Sequence, residues 1–148
     1  MSSTDPEFRD LLVDLVSNAH RFTRLASTLA TDDRPRSWMR ALSLLEEQGA
    51  LRVSTFARLD SSSQPSATAL LQKLGQEGFV QRQPDPDDSR AVLVAITDAG
   101  REWLAESRRS LADVLTPHFA HLAPEQLARL AEGLGELRAI IRTAATDN

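Results

Sequence analysis

At 148 residues and 41% hydrophobic content, the chain is long enough for one core with helical extensions. A net charge of -4 argues against a uniformly basic nucleic-acid binder, so any such surface must be confined to one face. The absence of cysteine excludes disulfides, thiolate metal sites and thiol redox sensing; no apolar run reaches membrane length and no signal peptide is seen, so a cytoplasmic location is expected.

The spacing predicts a long helix over Asp5 to Ala30. Phe8, Leu11, Leu12, Leu15, Ala19, Phe22, Ala26 and Leu29 recur at three- and four-residue steps. Asp5 is a capping residue and Pro6 suits the first helical position. Val16 and Leu25 widen the stripe beyond what one small domain covers, so a partner chain is the expected second surface. After a linker over residues 31–34, Pro35 to Gln48 reads as a second helix with Trp38, Ala41, Leu42 and Leu45 inward, ended by Gly49. Leu51-Arg52-Val53 is extended, Ser54 to Leu59 is a short helix, and Asp60-Ser61-Ser62-Ser63 is a turn.

The helix that follows, Gln64 to Glu77, opens with a capping Ser63 and with Pro65 in its first turn, where a missing N–H costs nothing. Ala67, Leu70, Leu71 and Leu74 form its inward stripe, and Ser66, Thr68, Ala69, Gln72 and Lys73 face out. From Ser61 to Gln76 there is no acidic residue, and Lys73 is the only lysine of the protein. Gly78 stops the helix. Phe79 to Arg82 and Ala91 to Ile96 read as two strands of a hairpin, joined by a polar loop from Pro84 to Arg90. Thr97-Asp98-Ala99-Gly100 starts a helix that runs past Trp103, Leu104, Leu111, Val114 and Leu115 towards Phe119 and Leu122, with a kink or break expected at Pro117. Its polar middle, Glu106 to Ser110, faces solvent or the central lobe. A last helix, Pro124 to Ala144, carries Leu127, Leu130, Leu134, Leu137 and Ile141 at coiled-coil-like steps.

Two helices around a tight turn, followed by a hairpin, outline a winged helix, in which one helix enters the DNA major groove and the hairpin lies beside it. The expected fold class is therefore mainly α with a small β-hairpin wing. It is one domain over 1–148, with the winged helix-turn-helix at 35–100 and dimerisation helices at 5–33 and 101–146.

Several quoted stretches carry a resemblance to a known family. They are Phe56-Ala57, Ser63-Gln64-Pro65-Ser66-Ala67-Thr68, Leu71-Gln72-Lys73-Leu74, Gly78-Phe79-Val80-Gln81-Arg82, Asp85-Pro86-Asp87-Asp88-Ser89-Arg90 and Ile96-Thr97-Asp98-Ala99-Gly100. Together they resemble the MarR family of bacterial transcription regulators. The resemblance implies a homodimeric, sequence-specific DNA-binding regulator, a repressor by family habit, often relieved by a small anionic or aromatic ligand. The chain departs from the family at Ala69, where arginine is common, at Gln72, where aspartate is common, and at Ser89, where a second basic residue is common.

The candidate DNA-contacting residues are Ser63, Gln64, Pro65, Ser66, Thr68, Ala69, Gln72, Lys73, Arg82, Asp88 and Arg90. Glutamine pairs with adenine, hydroxyls are permissive and a methyl meets the thymine methyl, whereas Lys73 suits a phosphate. Arg90 suits a narrow minor groove. The competing reading is that Asp88 or Asp85 pairs with Arg90 and shapes the loop. Three loop aspartates repel phosphate unless neutralised locally, and Arg82 is a phosphate contact or an aspartate partner.

His20, Arg24, Trp38 and Trp103 are candidates to line a ligand crevice, the alternative being ordinary core tryptophans. His118 and His121, three apart, fall on one helical face and suggest a metal pair, although without cysteine a full site needs carboxylates from elsewhere. The bland reading, a helix-end histidine pair, is the working one, and neither metal nor cofactor is expected. No nucleophile elbow, phosphate-binding glycine loop or His-Glu-x-x-His is present, so no enzyme is expected. The partner expected is a pseudo-palindromic DNA duplex. The rivals are a winged helix turned protein-binding module and a metal-responsive regulator.

Overall fold

The computed structural model describes residues 5–29 and 34–146, with 141–146 described by backbone only. Residues 31–33 of the linker expected at 31–34, the end of the first helix at Ala30 and the side chain of Ile141 lie outside the described residues. The order is α1 (Pro6–Leu29), α2 (Arg36–Gln48), β1 (Leu51–Arg52), α3 (Val53–Leu59), α4 (Gln64–Gln76), β2 (Val80–Asp85), β3 (Asp88–Ile96), α5 (Asp98–Phe119) and α6 (Pro124–Thr146). The fold is mostly helical, with one antiparallel sheet in the order β1-β3-β2. Two compact units divide the chain, Met1–Val114 and Leu115–Asn148.

The core of the first unit forms where α2, α3, α4, the hairpin and the start of α5 meet. Leu42 and Leu45 of α2, Phe56 of α3, Leu74 of α4, Val94 of β3 and Leu104 of α5 are fully buried there. Burying each such side chain stabilises the fold by roughly 1.5–3 kcal/mol. Polar contacts tie α5 to α2, where Arg108 donates to Glu46 at 2.8 Å and to Ser43 at 3.2 Å, and to the segment just before α2, where Arg34 approaches Glu106 at 3.4 Å. The polar middle of α5 therefore faces the lobe.

Residue-level signals explain the element boundaries. The Asp5 carboxylate accepts the Glu7 amide at 3.2 Å, capping α1. Gly49 and Gly78, at φ 79 and 76, turn the chain after α2 and α4 in the left-handed region. Thr97 fastens α5 to the hairpin. Its hydroxyl accepts the Gly100 amide at 3.1 Å and donates to the Gly78 carbonyl at 2.6 Å.

The hairpin differs from its expected form. The seven-residue loop over Pro84 to Arg90 is instead a two-residue turn, Pro86-Asp87, and both strands run almost to the tip. Pro84 does not break its strand because β2 lies at the sheet edge, where a missing N–H is tolerated. The Asp85 carboxylate accepts the Asp87 amide at 2.9 Å and closes the turn. Val53 belongs to α3 and not to β1. Pro117 neither breaks nor ends α5, which continues to Phe119.

In α1 only Ala26 is buried. Phe8, Leu11, Leu12, Leu15, Val16, Phe22 and Leu25 are all exposed on the single chain. Within α6, Leu127, Leu130 and Leu134 are exposed as well. Among the described residues no helix is long and apolar enough to cross a membrane.

Candidate nucleic-acid interface

Helix α4 buries Ala67, Leu71 and Leu74 and turns Gln64, Pro65, Ser66, Thr68, Ala69, Gln72 and Lys73 to solvent. Its start is held locally. The Ser63 oxygen accepts the Ser66 amide at 3.3 Å while its own hydroxyl donates to Ser66 Oγ at 2.8 Å. Thr68 donates its hydroxyl to the Gln64 carbonyl at 2.9 Å, leaving its oxygen as an acceptor. No side-chain partner is found among the described residues for the amides of Gln64 and Gln72 or for the Lys73 ammonium. Two donor–acceptor amides and one cation thus stand free on a face without an acid.

The wing supplies the arginines. Arg82 on β2 and Arg90 on β3 are exposed, and neither guanidinium has a partner among the described residues. The Arg90 amide donates to Asp88 Oδ1 at 3.0 Å, so Asp88 shapes the backbone and leaves the guanidinium alone. The expectation that Asp85 pairs with Arg90 is corrected. Asp85, only 8% exposed, is gripped by Arg52 of β1, whose Nε and Nη2 both donate to Oδ2 at 2.8 and 2.6 Å. The Asp87 amide first, and then the Arg52 guanidinium, hold the Asp85 carboxyl below its ordinary value, and Asp85 raises Arg52 in return. One of the three wing acids is thereby neutralised and withdrawn, and a second, Asp88, lies 3.7 Å from the same guanidinium.

A second pair holds the turn before α4. The Asp60 carboxylate, 1% exposed, accepts from Arg40 Nε at 2.6 Å and Nη2 at 3.3 Å, and this contact raises the Arg40 pKa. Next to it, Ser61 takes a left-handed φ of 54. Sequence reading found neither Arg40 nor Arg52. The available signals were a lone acid in a serine turn and an acid-rich wing that needed a local cation.

Residues 36–92, from the start of α2 into β3, match the model of the MarR family. An HTH-type transcriptional regulator of Mycobacterium tuberculosis is 34% identical over 86 residues, covering 58% of this chain and 60% of its own length. An HTH-type transcriptional regulator of Bacillus subtilis is 30% identical over 106 residues, covering 72% of this chain and 66% of its own length. The chain belongs to the MarR family. It spans about 60% of the length of the first relatives it matches. Wild-type MarR from E. coli, in its apo form, shares the fold with a TM-score of 0.65 at 20% identity, over 83% of this chain and 96% of that one. A mutant E. coli MarR complexed with operator DNA superposes with a TM-score of 0.57 at 19% identity, over 86% and 96%.

The other candidate residues of this MarR-family chain do not gather into one site. Trp38, Trp103 and Phe79 form an aromatic cluster of edge-on and tilted rings, with centroids 5.5 to 6.0 Å apart, packed against the core. His20 and Arg24 are exposed on α1, where with Val16, Ser17 and Arg21 they line a shallow groove made by that helix alone. His118 lies in the last turn of α5, which stops at Phe119, whereas His121 lies in the turn after it, so the two do not share a helical face as expected. Among the described residues no group of three or more His, Asp or Glu side chains is placed to hold a metal.

Proposed function

We propose that this MarR-family chain is a sequence-specific DNA-binding repressor of transcription. The observation that carries the reading is the acid-free outer face of α4, with the side chains of Gln64, Gln72 and Lys73 unpartnered among the described residues, beside a wing whose Arg82 and Arg90 guanidinium groups are likewise unpartnered there. Gln64 and Gln72 read base edges, with Ser66, Thr68 and Ala69 packed between them. Ser63 and Pro65 set the helix entry, Lys73 and Arg82 meet phosphates, and Arg90, its backbone fixed by Asp88, enters the minor groove.

The functional unit is a homodimer that works in the cytoplasm without catalysis. Residues 5–33 and 101–146 supply its dimerisation helices, and the open apolar face of α1 supports this assignment. A small anionic or aromatic ligand, held through His20 and Arg24, relieves repression by shifting the dimer between competent and incompetent arrangements.

The test is fluorescence anisotropy of purified protein on a duplex selected by it from a random-sequence pool, at two salt concentrations. Tight binding that weakens steeply with salt and exceeds affinity for scrambled DNA is expected. Arg90→Ala should lower affinity roughly tenfold and leave the dimer intact. Equal, weak binding to every duplex would sink the reading in favour of a protein-binding winged helix.

A further inference from the structure

Arg52 occupies a junction. It is the last residue of β1, and its backbone, at φ -66 and ψ 148, leads directly into the first turn of α3. Its guanidinium reaches the opposite way, into the wing. Nε and Nη2 converge on Asp85 Oδ2, while Nη2 also lies 3.7 Å from Asp88 Oδ2. Asp85 Oδ1 accepts the Asp87 amide and Asp88 Oδ1 accepts the Arg90 amide. A continuous path of charge-assisted contacts therefore runs from the helix-turn-helix to the backbone of Arg90.

The backbone ladder alone does not provide this hold. β1 pairs with β3 through only Leu51↔Val94 and Arg52↔Leu93, so the outer part of β3, from Asp88 to Val92, has only the edge strand β2 beside it. An isolated two-stranded ribbon is marginal and twists freely. The Arg52 side chain spans the gap that the short β1 leaves.

We propose that Arg52 is a positioning residue for DNA binding, its strut to Asp85 fixing the wing tip against the helix-turn-helix and setting where Arg90 is presented. This rests on the DNA-binding reading above. It explains why an acid is kept close to a phosphate-facing surface: buried and doubly bonded, Asp85 acts as a strut and not as a surface charge.

Asp85→Asn separates the two roles, because it removes a negative charge from the DNA-facing lobe. If Asp85 acts only as a charge, its loss tightens binding. If it is half of a strut, its loss weakens binding to the selected duplex, by about five- to tenfold. Arg52→Ala should match it, and Arg52→Lys, with a point charge in place of the fork, should recover part of the loss. In an Arg90→Ala background, Asp85→Asn should cost less than about twofold, since both changes remove the same contact. Without DNA, amide order parameters at 87–90 should fall from about 0.85 to below about 0.6 in Asp85→Asn and in Arg52→Ala. Arg52→Ala, at an exposed side chain, keeps the test available if Asp85→Asn fails to fold. Wing amides that stay rigid, or an Asp85→Asn protein that binds as well as or better than wild type, would overturn the proposal. If the wing loosens but the wild-type chain prefers no duplex, the strut stands and the DNA reading falls.

Discussion

Gly100 sits where α5 leaves the hairpin, and no side chain fits there. A Cβ at this position would lie 2.2 Å from the Phe79 carbonyl oxygen and 2.9 Å from Ile96, and the backbone atom cannot move aside without breaking the Thr97–Gly78 clasp. Gly75, inside α4, is the opposite case, its nearest neighbour being 3.9 Å away. We expect Gly100→Ala to destabilise the fold by roughly 2–3 kcal/mol and Gly75→Ala to stabilise it by about 0.5–1 kcal/mol. Urea unfolding at unchanged m-value measures both. The family resemblance marked Gly100 as part of a motif, but only the close approach of Phe79 gives the physical reason. The same contrast holds for the acids. Asp85 and Asp60 read in sequence as loop polarity because their partners, Arg52 and Arg40, lie 33 and 20 residues away. Nothing in local spacing marks such a pair.

At the scale of elements, the strongly periodic helices were legible. α1 follows the cap at Asp5 and the steps from Phe8 to Leu29, and α4 follows the Ser63 cap, Pro65 and the Ala67–Leu74 stripe. The wing was legible in kind and not in length, because Pro84 reads as a breaker unless its strand is known to be an edge. Pro117 misled in the opposite sense, being accommodated within the last turn of α5. The apolar row of α1 is the element that one chain leaves unfinished. Leu12, half exposed amid that row, is the probe: Leu12→Glu should shift the protein from dimer to monomer in sedimentation at micromolar concentration, while the buried core of the winged lobe stays folded. A dimer unaffected by this change would place the interface elsewhere.

For the molecule as a whole, the two-fold symmetry of the proposed dimer turns one lobe into a rule about DNA. Two recognition helices should fit half-sites whose centres lie about one helical turn, roughly 10 base pairs, apart. Inserting five base pairs between them rotates one half-site to the opposite side of the duplex, so binding should drop to the level of scrambled DNA. Footprinting on the selected duplex and its expanded version checks this. The net charge of -4 is compatible with such binding because the acids are excluded from residues 61–76 and one wing acid is buried against Arg52.

Arg52 joins the wing to α3, and Thr97 joins the other end of the hairpin to the end of α4 through Gly78. The hairpin is thus held at both ends, near its tip and at its base. On the proposed function, such a body is expected to act as a lever, carrying a tilt imposed at its α5 end to both the α4 face and the wing tip. An inducer of the kind proposed would then need neither to touch the α4 face nor to melt any part of it.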